Sequence, residues 1–170
     1  MSAAEPVAIV EASTPAEIAE MRALFAEYQG WLGEDLSFQD FPAELDSLAE
    51  LYAPPGGLLL LARAPDGSAA GGVGMKALEP GICEMKRLYV RPRWRGFGLG
   101  RRLAGAVAQA GADAGYAFMR LDTLTRLHEA VALYRSMGFR EIPAYYDNPM
   151  EGVFYMELAL TGPRSAEARG

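Results

Sequence analysis

The segment Arg95-Gly96-Phe97-Gly98-Leu99-Gly100-Arg101-Arg102 puts a glycine at every second position between a strand-forming and a helix-forming run. Glycine tolerates φ > 0 and lets a ligand approach the main chain closely. The N–H groups of such a loop and of the first helical turn lack intrahelical partners, and the helix dipole adds positive potential. The chemistry this supports is the binding of a phosphate or pyrophosphate. Arg95, Arg101 and Arg102 add positive charge there, in a chain whose 16 Lys+Arg against 22 Asp+Glu give a net charge of -6. Glycine-rich turns also occur in α/β domains that bind nothing, so spacing must discriminate. A dinucleotide fingerprint, Gly-x-Gly-x-x-Gly, fails: counted from Gly96 it ends on Arg101, and from Gly98 on Leu103. A P-loop fails too, because no lysine follows Lys86.

Glu84 is a carboxylate on the strand that leads into this segment. Period-2 alternation puts Glu84, Lys86, Leu88 and Val90 on one face and Met85, Arg87 and Tyr89 on the other. An exposed strand carboxylate paired with a basic neighbour is the plainer role for Glu84. Cys83 is the only cysteine, which excludes a disulfide framework or a multi-cysteine metal site; it reads as a small buried residue. His128 is the only histidine, so no metal is expected. The acidic balance argues against nucleic acid and mildly favours cationic ligands. Residues 1–6 show no signal-peptide pattern, and the longest aliphatic run, Leu58–Ala62, is far short of the ~20 residues that span a bilayer. A cytoplasmic protein with no membrane partner is expected.

These residues need a scaffold, and 170 residues with 51% hydrophobic content suit one domain with one core. Residues 6–11 read as a strand. Ser13-Thr14-Pro15 opens a helix through Ile18, Met21, Leu24, Phe25 and Tyr28, which Gly30 and Gly33 end. Residues 34–41 read as a loop, and Pro42 opens a second helix through Leu45, Leu48, Leu51 and Tyr52. Strands follow at 58–64, 70–78 and 82–90, then a helix from Gly98 to about Gly115 and a strand at 117–123. A helix at 129–137 capped by Gly138 and strands at 139–145 and 152–160 complete the series. The fold class is mixed α/β (α+β): a partly antiparallel central sheet with helices on both faces, one domain over 1–160 and a disordered tail over 161–170.

The pattern Arg95-x-x-Gly98-x-Gly100, preceded by Leu88-Tyr89-Val90-Arg91-Pro92, resembles the acyl-CoA signature of the GNAT superfamily of N-acetyltransferases. Ala130 to Phe139 resembles that family's later helix and its exit to a strand, and the intervening strand fits. The motif resemblance covers residues 84–139, and element order extends it loosely to 6–160. It implies strands splayed at an acyl-CoA site, with the backbone of Leu88, Tyr89 and Val90 holding the pantetheine arm and acyl carbonyl. The pyrophosphate would sit on Arg95, Gly96, Phe97, Gly98, Leu99, Gly100 and Arg101. The implied reaction is direct attack of a primary amine on acetyl-CoA, with Glu84 as base and Tyr134 protonating the leaving thiolate. Tyr134 would otherwise be a core aromatic beside Leu133 and Met137. One position departs: where many members carry Asn, seven residues before this tyrosine, the chain has Leu127. An acyl-cysteine at Cys83 is a remote alternative.

The resemblance also puts the acceptor pocket on the first helices, their loop and the last strands, which here hold Tyr28, Trp31, Glu34, Asp35, Phe38, Asp40, Tyr145, Tyr146, Asp147 and Asn148. Acids among aromatics suit a cationic amine; a solvated acidic loop is the plainer role. Small-molecule amines and peptide amines both stay open as acceptors, as does a homodimer. A non-catalytic acyl-CoA-binding or regulatory module is the competing reading.

Overall fold

The computed structural model describes residues 7–33 and 40–160. Expectations for the N-terminal start, for Glu34, Asp35 and Phe38, and for the tail lie outside the described residues. The elements are β1 (Ala8–Glu11), α1 (Pro15–Leu32), α2 (Phe41–Asp46), α3 (Leu48–Leu51), β2 (Leu58–Arg63), β3 (Ala69–Glu79) and β4 (Ile82–Val90). After a single 3-10 turn at Pro92–Trp94 come α4 (Leu99–Asp113), β5 (Phe118–Leu124), α5 (His128–Met137), β6 (Arg140–Ile142) and β7 (Val153–Ala159). Hydrogen-bonded neighbours follow the order β1-β2-β3-β4-β5-β7-β6. The β1–β2, β2–β3, β5–β7 and β6–β7 pairs are antiparallel, and β4–β5 is parallel. This is the expected mixed class.

Among the described residues there are two compact units: 7–33 and 40–76 with Lys86–Val107, and Ala77–Met85 with 108–160. In the first unit, Thr14 and Glu17 form a capping box at α1: the Thr14 hydroxyl accepts from the Glu17 N–H, and the Glu17 carboxylate accepts from the Thr14 N–H. Met21, Leu24 and Phe25 bury one stripe of α1. Two adjacent glycines on β3 lie against the two helices. A Cβ at Gly72 would meet the Met21 side chain at 2.8 Å, and one at Gly71 would lie 3.5 Å from Leu103 of α4. Successive strand residues point to opposite faces, so α1 and α4 cover opposite faces of β3.

The structure departs from the sequence expectation in three places. The second helix is broken at Ser47, whose φ of -130° leaves α2 and α3 as separate short pieces. The strand expected over 139–145 keeps only Arg140–Ile142. Pro143 supplies no N–H to a ladder, and the chain turns away to bring in Tyr145 and Tyr146. The alternation expected along β4 is also interrupted, because Arg87 has φ +63°, in the left-handed region. Residues 83–87 are buried in an unbroken run, so both faces of β4 are covered there.

A β-strand arginine with positive φ needs strong local support. Its guanidinium supplies this by donating to both carboxylate oxygens of Glu44 on α2, at 2.9 and 3.2 Å, with the two side chains 5% and 7% exposed. Tyr52 donates a further hydrogen bond to Glu44 at 2.9 Å, and the Phe41 ring lies 4.9 Å from the guanidinium. Burial alone would push the Glu44 carboxyl up, but the Arg87 hydrogen bonds and charge outweigh it and hold it below the ordinary glutamate range.

In the second unit, β4 pairs with β5 only over Ile82–Glu84 against Phe118–Arg120, whereas β5 pairs with β7 over its whole length. Register puts Glu84, Arg120, Asp122, Tyr155 and Glu157 on one face. Cys83, Met119, Leu121, Met156 and Leu158 form the other, where Gly111 of α4 lies against Cys83 and Met119. One face is therefore available for chemistry, and the other is core.

Glu44→Gln or Arg87→Met should each destabilise the fold by about 3–5 kcal/mol, since each leaves a buried charge without its partner. The folded Glu44 pKa lies below the unfolded one, so the pair's contribution is present above the unfolded value and is lost as pH falls through the folded value. Urea unfolding between pH 7 and pH 3 should show a smaller loss of stability for Glu44→Gln than for the wild type.

Candidate active site

In the first unit, β4 ends in a heavily tied corner. The Arg91 N–H donates to the Ala70 carbonyl, and the Arg91 guanidinium donates to Glu27 at 2.6 and 3.0 Å and to the Ala69 carbonyl at 2.9 Å. Tyr89 points to α1, with its ring 6.1 Å from that of Tyr28 and its hydroxyl donating to Glu27. Burial, and then the Glu27 charge, raise its phenol pKa.

The loop after β4 has Gly96 at φ +89° and Gly98 at φ +78°, conformations that glycine adopts without strain. The first intrahelical bond of α4 runs from the Arg102 N–H to the Gly98 carbonyl, so the N–H groups of Leu99, Gly100 and Arg101 precede the helical ladder. Leu99 is buried and anchors the turn, Phe97 is 76% exposed, and Arg101 and Arg102 are exposed. Arg95 is engaged with the protein itself: its Nε donates to the Val90 carbonyl at 2.7 Å, and its guanidinium lies 4.9 Å from the Trp31 ring. It holds the loop to the strand while keeping its charge there. The arrangement suits a diphosphate.

In the second unit, Glu84 is 4% exposed, and the Tyr145 hydroxyl donates to its Oε2 at 2.8 Å. Asp122 accepts at Oδ2 from the Tyr146 hydroxyl at 2.6 Å and from Asn148 Nδ2 at 2.7 Å. Tyr155 donates to the Tyr146 carbonyl, and the rings of Tyr145, Tyr146 and Tyr155 meet edge to face, 5.1–5.6 Å apart. Arg120 bonds Glu157 and Glu79 and lies 5.3 Å from the Tyr145 ring. Burial, followed by the charges of Glu84 and Asp122, drives the Tyr145 phenol far above its usual range; burial and Asp122 do the same for Tyr146. Both therefore act as hydrogen-bond donors at neutral pH.

Tyr134 is buried on α5 with its ring 5.5 Å from Phe139, where Gly138 ends the helix in the left-handed region. Leu127 caps α5 without a side-chain hydrogen bond, and His128 is exposed beside it. The structure thus brings together Glu84, Tyr145, Tyr146 and Asn148 from the expected set. It adds Asp122, Arg120 and Tyr155, which the sequence reading passed over. Their signal was present: Arg120 and Asp122 are charged alternate residues in an otherwise apolar strand. Among the described residues, no group of three His, Cys, Asp or Glu side chains could hold a metal, and no helix is long and apolar enough to cross a membrane.

The sequence profile of the acetyltransferase (GNAT) family matches residues 18–139. An uncharacterized N-acetyltransferase of Schizosaccharomyces pombe is 41% identical over 156 residues, covering 91% of this chain and 96% of the relative. A crystal structure from Klebsiella pneumoniae, described as a candidate acyl-CoA N-acyltransferase, superposes with a TM-score of 0.72 at 31% identity, over 91% of this chain and 97% of its own. The PaiA N-acetyltransferase of Thermoplasma acidophilum, solved with coenzyme A, shares the fold with a TM-score of 0.69 at 17% identity, over 91% of this chain and 99% of its own.

Cys83 lies on the core face, with its thiol 3.7 Å from the Phe118 carbonyl, and burial pushes its pKa up to about 12. Very little thiolate exists at neutral pH, which disfavours an acyl-cysteine route. Native protein should resist labelling by a thiol reagent at pH 7.5 and react fully once unfolded in guanidinium; rapid native labelling would contradict this placement.

Proposed function

The chain belongs to the GNAT acetyltransferase family and is an acyl-CoA-dependent N-acetyltransferase; on that premise we propose that it acetylates a cationic primary amine by direct attack on acetyl-CoA. The observation that carries this reading is Glu84, a buried carboxylate held by a phenol donor on the strand that continues into Leu88, Tyr89 and Val90. Supporting it, the N–H groups of Leu99, Gly100 and Arg101, with the charges of Arg101 and Arg102, fit a pyrophosphate, as a helix N-terminus does in general. The main chain at Leu88–Val90 takes the pantetheine arm and gives one N–H to the developing oxyanion.

The amine nitrogen forms a bond to the thioester carbonyl carbon, and the C–S bond breaks. Glu84 takes a proton from the arriving ammonium, directly or through a water, and so frees the nitrogen lone pair that attacks. Tyr134 gives its proton to the departing thiolate, and the second proton that the nitrogen sheds as the amide forms restores the phenol through solvent. Because a thiolate is a fair leaving group, the proton from Tyr134 matters less than the one at Glu84. The negative charge of Glu84 and Asp122 beside the rings of Tyr145, Tyr146 and Tyr155 suits an ammonium through charge and cation–π attraction. A cytoplasmic site for the reaction belongs to the same reading.

At ~100 times its dissociation constant, acetyl-CoA should stabilise the protein by about 2.7 kcal/mol, seen as a rise in melting temperature, with no rise for NAD or ATP. Tyr134→Phe should keep that rise and lower kcat by roughly 10- to 100-fold, at or below the lower end of general acid–base effects. Unchanged turnover in Tyr134→Phe would remove it as the acid, and a response to NAD or ATP but not acetyl-CoA would overturn the donor.

A further inference from the structure

Glu84 presents a physical problem that the proposed function leaves unsolved. A glutamate side chain has three rotatable bonds, and one that is 4% exposed must be both ionised and correctly aimed to take a proton. The segment joining β6 to β7 meets this need. Tyr145 donates its hydroxyl to Glu84 Oε2 at 2.8 Å, and the phenol does not ionise near neutral pH. The donor is itself fixed on several sides. Its ring meets those of Tyr146 and Tyr155, and the Arg120 guanidinium lies 5.3 Å from its centre. Tyr146 and Asn148 anchor the segment on Asp122 of β5, while Tyr155 of β7 holds the Tyr146 carbonyl. Arg120 is in turn held by Glu157 and Glu79. The carboxylate thus bears on a phenol whose position two strands determine.

We propose that Tyr145 is a positioning residue for the acetyl transfer, acting through Glu84: its hydroxyl holds the Glu84 carboxylate in the orientation from which it accepts the amine proton. This inference rests on the reading of Glu84 as the base. Tyr145 need not touch the donor or give up its own proton. Because Tyr145→Phe keeps the ring contacts and removes one O–H, it tests the hydrogen bond with little disturbance of the fold.

The test is a kinetic double-mutant cycle of wild type, Tyr145→Phe, Glu84→Gln and the double variant, with an amine that the enzyme acetylates. Melting temperature and acetyl-CoA affinity serve as folding controls. Tyr145→Phe should lower kcat by roughly 5- to 20-fold with KM for acetyl-CoA unchanged, within the span of losses seen for residues coupled in one network. In the Glu84→Gln background the same change should have almost no effect. Unchanged kcat in Tyr145→Phe, or an equal loss in both backgrounds, would overturn the proposal while Glu84 stayed the base. Wild-type turnover in Glu84→Gln would remove Glu84 as the base, and any loss in Tyr145→Phe would then have another origin.

Discussion

The ion pair between Arg87 and Glu44 holds β4 in a shape that a strand would not adopt unaided. Its arginine sits at φ +63° with its side chain buried, and both costs are offset at one carboxylate. Glu44 accepts from Arg87 and from Tyr52, so each of its oxygens has a donor. Replacing both ends of such a pair with apolar groups is often tolerated, whereas removing one end is not. Here the pair also has a conformational task, because it fixes the turn of the chain immediately before Leu88. Within β4, the residues up to Met85 belong to one compact unit and those from Lys86 to the other.

That division accounts for where the chemistry lies along the strand. Before the turn, β4 pairs in register with β5 and presents Glu84 beside Arg120 on a polar face. After it, the side chain of Tyr89 is taken up by α1, and Arg95 closes the loop back onto the Val90 carbonyl. At this end the N–H groups that open α4 precede its helical ladder. Acyl transfer needs few special side chains once backbone donors are fixed in place, and hydrogen bonds aimed at developing charge do much of the work. Asp122 and the three tyrosines of the second unit are tied to each other, and their arrangement is similarly predetermined.

The element order was legible in the sequence because its signals are local. The capping box at Thr14 and Glu17, the left-handed Gly33 and Gly138, the apolar run of β2 and the alternating apolar residues of β5 each announce themselves within a few residues. The Arg95–Gly100 loop was legible for the same reason. What escaped the reading depends on distant partners. Nothing near Arg87 marks it as left-handed, since its support comes from Glu44, 43 residues away. The short β6 reflects tyrosines drawn to Glu84 and Asp122, and Asp122 gains its importance only when Tyr146 and Asn148 reach it. The bond that ties Arg95 back to the Val90 carbonyl likewise has no mark in the sequence.

The central claim is that β4 and the loop after it receive the acyl donor through backbone groups. A crystal structure with acetyl-CoA bound tests it most directly. The account predicts the pyrophosphate against the N–H groups of Leu99, Gly100 and Arg101, and the thioester carbonyl oxygen within hydrogen-bond distance of an N–H of Leu88, Tyr89 or Val90. A donor held by side chains elsewhere, with that loop and strand untouched, would contradict it.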